Sequence, residues 1–259
     1  MSNIRKAFEN GKALIAFVTC GDPDLQTTAA VVREAAEKGA DLIELGIPFS
    51  DPVAEGPVIQ GANLRALQGG VTTDKIFSMV KQLRQDITTP MVFMTYANVV
   101  YSYGTERFLR ACHDIGMDGL ILTDVPFEEK EEFLPVCRRY GVNLISLIAP
   151  APEKRIATIA NEAEGFLYIL PSTGITETGN EMKNDPASIV AVVRKHTDLP
   201  CAIRLSSTDL EHVQRMAAVA DGVIVDSAIV KQIEQYGRNS AAHVGGYVKT
   251  MKDAMRDQK

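Results

Sequence analysis

Eight short apolar runs recur along this chain, with amphipathic stretches between them. The runs are residues 13–18 (ALIAFV), 41–46 (DLIELG), 91–96 (MVFMTY), 119–124 (GLILTD), 143–149 (NLISLIA), 165–170 (GFLYIL), 201–205 (CAIRL) and 222–226 (GVIVD). Their near-continuous apolarity suits parallel strands covered on both faces, not strands with one wet side. The stretches 25–39, 72–86, 106–116, 128–141, 153–165 and 186–198 carry helical periodicity. Gly39, Gly116, Gly141 and Gly165 follow four of them, where a helix C-terminal cap belongs. Strand–helix alternation repeated in this way predicts an α/β chain, a single-domain (β/α)8 TIM barrel spanning residues 1–259. An open doubly wound sheet is the competing arrangement. No G-x-G-x-x-G follows a strand, so a dinucleotide site has no support.

Composition narrows the function. Lys and Arg number 27 against 33 Asp and Glu, a formal charge of −6 with no basic block. Such a chain is a poor binder of nucleic acid or of a membrane surface. No apolar run reaches the roughly 18 residues of a membrane span. The first residues lack a cleavage signal, so a cytoplasmic location is expected. Cys20, Cys112, Cys137 and Cys201 form no C-x-x-C pair and read as reduced thiols, with no metal implied. The four histidines fall in polar helical patterns, which disfavours a His-based site.

Two connections are long, 47–71 after the second strand and 171–185 after the sixth. Both leave the C-terminal ends of strands, the face on which barrel enzymes carry their chemistry. Glu44 interrupts an apolar strand just before the first loop. A buried carboxylate is costly unless paired or functional, and burial raises its pKa as general acid/base chemistry requires. Glu55, on the loop, can stand beside it, so that the two carboxylates divide acid/base and electrostatic roles. Asp22, Asp51, Tyr96, Asn98, Asp124, Tyr168 and Thr176 also lie within strands, at their ends or in loops; each alone reads more simply as a turn or cap residue.

The string IELGIPFSDPVAEGP, with FVTCGDPD, PMVFMTYANVV, DGLILTDVPFEE and DGVIVDSAIV, resembles the tryptophan synthase alpha subunit family over nearly the whole chain. The resemblance implies a (β/α)8 barrel that cleaves indole-3-glycerol phosphate to indole and glyceraldehyde 3-phosphate by a retro-aldol reaction. It also implies a beta subunit partner in an alpha2beta2 complex, with pyridoxal phosphate on that partner and no cofactor on this chain. Glu44 would protonate the indole ring, and Glu55, where the family commonly has Asp, would accept its N–H. Phe17, Ile59, Met94 and Tyr168 would line the indole pocket, and Thr176 would fix the sixth-strand loop. Pro48–Asp51 and Asn98 would face the partner.

The phosphate end departs from the family pattern. The family's S-x-x-G-V-T-G reads PSTGITE here and ends on Glu177. G-F-G-I-S reads Arg204, Leu205, Ser206, Ser207, Thr208, and G-S reads Asp226, Ser227. Glycine lets backbone approach a ligand closely. Replacing it with side chains, two of them acidic, predicts a weakened hold on phosphate unless Arg204 reaches the anion. Arg204 and Ser227 remain candidate substrate contacts. Two other readings stand beside the lyase: the same barrel acting on a non-phosphorylated substrate, and a catalytically silent binding subunit of the beta chain.

Overall fold

The computed structural model describes residues 3–171, 185–205 and 209–256. They run, in order, through a 3₁₀ helix (Asn3–Phe8), β1 (Ala13–Thr19), α1 (Leu25–Glu37), β2 (Leu42–Gly46), α2 (Pro57–Gln68), α3 (Thr73–Leu83) and β3 (Met91–Thr95). There follow α4 (Ala97–Tyr103), α5 (Thr105–Asp114), β4 (Gly119–Leu122), a second 3₁₀ helix (Phe127–Glu132), α6 (Leu134–Arg139), β5 (Asn143–Leu144) and β6 (Ser146–Ile148). The chain ends through α7 (Glu153–Glu162), β7 (Leu167–Ile169), α8 (Pro186–Val193), β8 (Cys201–Arg204), α9 (Leu210–Val219), β9 (Gly222–Val225), α10 (Ser227–Tyr236), a short 3₁₀ turn and α11 (Ser240–Arg256).

The strands form one sheet in the order β5-β4-β3-β2-β1-β9-β8-β7-β6, with every pairing parallel. β5 and β6 are one strand parted at Ile145, whose N–H still bonds the Leu120 carbonyl at 2.9 Å. Eight strands therefore make the ring, and the expected (β/α)8 barrel is present.

Strand alternation builds two cores from one sheet. Ile15, Leu42, Val92, Ile121, Ile145, Tyr168, Ala202 and Ile224 fill the barrel interior. The intervening residues, among them Leu14, Ile43 and Phe93, pack outward against the helices. Burial on both sides explains why these strands read as unbroken apolar runs. Ile4 and Ala7 of the first 3₁₀ helix join the interior cluster and plug one end. The opposite, C-terminal end of the strands carries the candidate site.

Three local details differ from expectation. Residues 128–141 form a 3₁₀ helix and then α6 instead of one helix. Pro135 has no N–H to donate and its ring crowds the preceding turn, so a continuous α-helix cannot pass through it. α7 stops at Glu162, so Gly165 does not cap it. Gly165 adopts φ +69° ahead of β7, and a Cβ there would lie 2.7 Å from the Ile145 Cδ1. α4 follows β3 directly and takes its cap from afar, the Ala97 N–H donating to Asp124 at 2.8 Å.

Candidate active site

Glu44 lies at the centre of β2, faces the barrel interior and is wholly buried. It is in register with Phe17 of β1 and Val92 of β3. Among the described residues neither carboxylate oxygen has a hydrogen-bond partner. Burial pushes its pKa up to about 8, with the Asp226 charge adding to the rise, Arg204 opposing it and Glu55 adding further. At neutral pH the group therefore holds its proton and can donate it.

The wall beside Glu44 is apolar. Phe17, Ile59, Ala62 and Val230 form a cluster that Met94 joins. Gly46, two residues beyond Glu44, makes room for the Phe17 ring: a Cβ there would lie 2.7 Å from the Phe17 Cζ. A cavity of about 410 Å³, a size usual for small-molecule sites, lies further round the barrel, lined by Thr123, Phe127, Leu147 and Leu170 among others, and neither Glu44 nor Glu55 lines it. Tyr168, 1% exposed, sits within the interior layer, and its hydroxyl pKa is raised by burial and by the Glu44 and Asp226 charges.

The loop after β2 brings Glu55 close enough to Glu44 to act on its charge. The Tyr96 hydroxyl donates to Glu55 Oε2 and accepts from the Ala54 N–H at 3.0 Å. The Tyr96 ring stacks on Phe49 of the same loop, with centroids 4.9 Å apart. Gln60 of α2 donates to the Glu55 carbonyl at 2.8 Å. Partial burial raises the Glu55 pKa, while the Tyr96 hydrogen bond and Arg204 favour the ionised form. Tyr96 is the clamp that sequence reasoning placed only among strand-end polar groups. Its one signal was an aromatic hydroxyl at the C-terminal end of a barrel strand.

Arg204 ends β8 and Asp226 follows β9. The Arg204 Nε donates to Asp226 Oδ2 at 2.5 Å. The other Asp226 oxygen accepts the N–H of Ser227, the first residue of α10. Asp22 and Asp124 have structural partners: Asp22 takes a bidentate pair from Arg65 of α2 at 2.8 and 2.9 Å, and Asp124 caps α4. Asp51 accepts from Ser50 on the exposed loop, and Asn98 lies exposed on α4. Thr176, Glu177 and Ser206 fall outside the described residues. Among the described residues no cluster of His, Cys, Asp or Glu could hold a metal ion, and no helix is long and apolar enough to cross a membrane. The four cysteines are buried and free.

A family model described as tryptophan synthase alpha chain matches residues 3–256. The tryptophan synthase alpha chain of Lacticaseibacillus casei is 40% identical, over 100% of this chain and 97% of its own. That of Lactiplantibacillus plantarum is 43% identical, over 98% and 97%. Among solved structures, tryptophan synthase subunit alpha from Legionella pneumophila superposes with a TM-score of 0.88 at 31% identity, covering 98% of both chains. A chain of the tryptophan synthase complex from Pyrococcus furiosus superposes with a TM-score of 0.83 at 33% identity, covering 94% of this chain and 99% of its own.

Proposed function

Since the chain belongs to the tryptophan synthase alpha chain family, we propose that it is the lyase that splits indole-3-glycerol phosphate into indole and glyceraldehyde 3-phosphate. The observation that carries this reading is Glu44: a buried carboxyl, unbonded among the described residues, that keeps its proton at neutral pH near the apolar cluster of Phe17, Ile59 and Met94. Phe17, Ile59 and Met94 hold the indole ring against it. Glu44 gives its proton to ring carbon C3, and positive charge develops on the ring nitrogen. Glu55, steadied by Tyr96, accepts the N–H and stabilises that charge. The bond between C3 and the side chain breaks, and its electron pair restores the aromatic ring. The side-chain hydroxyl becomes the aldehyde and returns its proton to Glu44, so the acid is regenerated.

A silent binding subunit has no use for a buried carboxyl that finds no partner among the described residues, since such burial costs stability. The partner we propose is a pyridoxal-phosphate-dependent beta chain in an alpha2beta2 assembly in the cytoplasm. Structural neighbours that carry the name tryptophan synthase complex support a beta-chain partner. The exposed loop residues Ser50, Asp51 and Val53, together with Asn98, form the face for it. The test is indole release from indole-3-glycerol phosphate by wild type and Glu44→Gln. A loss of about 10²–10⁴-fold is expected for a general acid; a variant within about threefold of wild type would refute the assignment.

A further inference from the structure

The tops of β8 and β9 hold an ion pair that the acid/base chemistry above does not use. Asp226, 7% exposed, spends one oxygen on the Arg204 guanidinium and the other on the first N–H of α10. In eight-stranded barrels, the loops after the seventh and eighth strands and a nearby helix N-terminus commonly take the phosphate of a substrate. Such a site works through unspent N–H groups and the positive end of the helix dipole. Here the first N–H of α10 is bonded to the chain's own carboxylate, and that carboxylate already answers the helix dipole.

Charge at this corner points the same way. Arg204 is paired with Asp226, and the charges of both reach Glu44, as does that of Glu55. An entering dianion must either sit beside Asp226 or take Arg204 away and leave a buried carboxylate unpaired, which is the costly outcome. A hydroxyl has neither difficulty. It can accept from a guanidinium N–H and donate to a carboxylate oxygen, so a polyol end matches the Arg204–Asp226 pair without breaking it.

We propose that Arg204 and Asp226 form a distal subsite for a hydroxyl-bearing substrate end that does not require a phosphate, so that unphosphorylated indole-3-glycerol is cleaved about as well as its phosphate ester. This rests on the lyase reading. The bonds made and broken are those already given, because the phosphate takes no part in the cleavage.

The experiment compares kcat/KM for indole-3-glycerol and indole-3-glycerol phosphate with wild type and Asp226→Asn. The expected ratio for wild type lies within about tenfold of one. Asp226→Asn removes the charge with little change of shape and is expected to shift the ratio toward the ester by at least about tenfold. A wild-type preference for the ester beyond tenfold, or a ratio that Asp226→Asn leaves in place, would overturn the proposal. Calorimetric binding of indole-3-propanol and its phosphate ester reads the same subsite without turnover. Equal binding of the two supports the subsite even if neither glycerol is cleaved, an outcome that sinks the lyase reading alone. Tighter binding of the ester by more than tenfold sinks the subsite.

Discussion

At the scale of single residues, Glu44 links function to stability. The unfolded chain releases this proton near pH 4.5, whereas the folded chain keeps it up to about pH 8. Between those values the folded state binds more protons, so the contribution of Glu44 to stability falls as pH rises. The penalty starts near the unfolded pKa and is complete above the folded one, at up to about 5 kcal/mol. Glu44→Gln escapes it. In denaturant titrations the variant is expected to gain on wild type steadily from about pH 5 to about pH 8.5. A difference that stays constant across that range would mean that the folded state does not hold the proton. Glu44 was legible in the sequence because a carboxylate inside an apolar strand is too costly to keep unless it is paired or functional. Asp226 was legible as a replaced glycine and as one of two acids, with Glu177, that Arg204 could pair with. Its hydrogen bond to Ser227 is a local N-cap of α10, but its pairing with Arg204 depends on the closure of β8 against β9, which no local pattern reports.

At the scale of elements, α2 is what sets Glu55. The helix starts at Pro57, two residues after Glu55, and supplies Ile59 to the apolar cluster with Phe17 and Gln60 to the loop. Arg65 ties its far end to Asp22, which follows β1. Arg65→Ala leaves the almost fully buried Asp22 carboxylate without its cation. A loss of about 2–4 kcal/mol is expected in chemical denaturation, somewhat moderated because Arg65 is partly exposed. A loss below about 0.5 kcal/mol would show that solvent already screens the pair. The strands and most helices were readable because burial on both faces and on one stripe leaves different periodicities. The exceptions have physical causes. α4 is short and is capped by Asp124, 27 residues away, so no neighbouring residue announces it. The break at Ile145 follows from strand pairing, with β5 bonded to β4 and β6 bonded to β7. Pro135 was visible in the sequence, and its effect on the 128–141 pattern follows from its missing N–H.

At the scale of the whole molecule, the site draws on both halves of the chain. Phe17 and Glu44 come from the first two strands, Arg204 ends β8 and Asp226 follows β9, and the β1–β9 pairing brings them together. Closure of the barrel removes water from Glu44 and so sets its proton affinity. The loop that carries Glu55 also exposes Val53, 83% accessible, so most of the face proposed for the partner lies on the same segment as Glu55. The proposed cleavage requires Glu44 to act as an acid. The most direct measurement is the pH dependence of kcat/KM for indole release, which reports groups in the free enzyme. A single-proton fall centred near pH 8 is predicted, because cleavage needs the protonated carboxyl. Activity that rises through pH 8, or holds level to about pH 9.5, would contradict it.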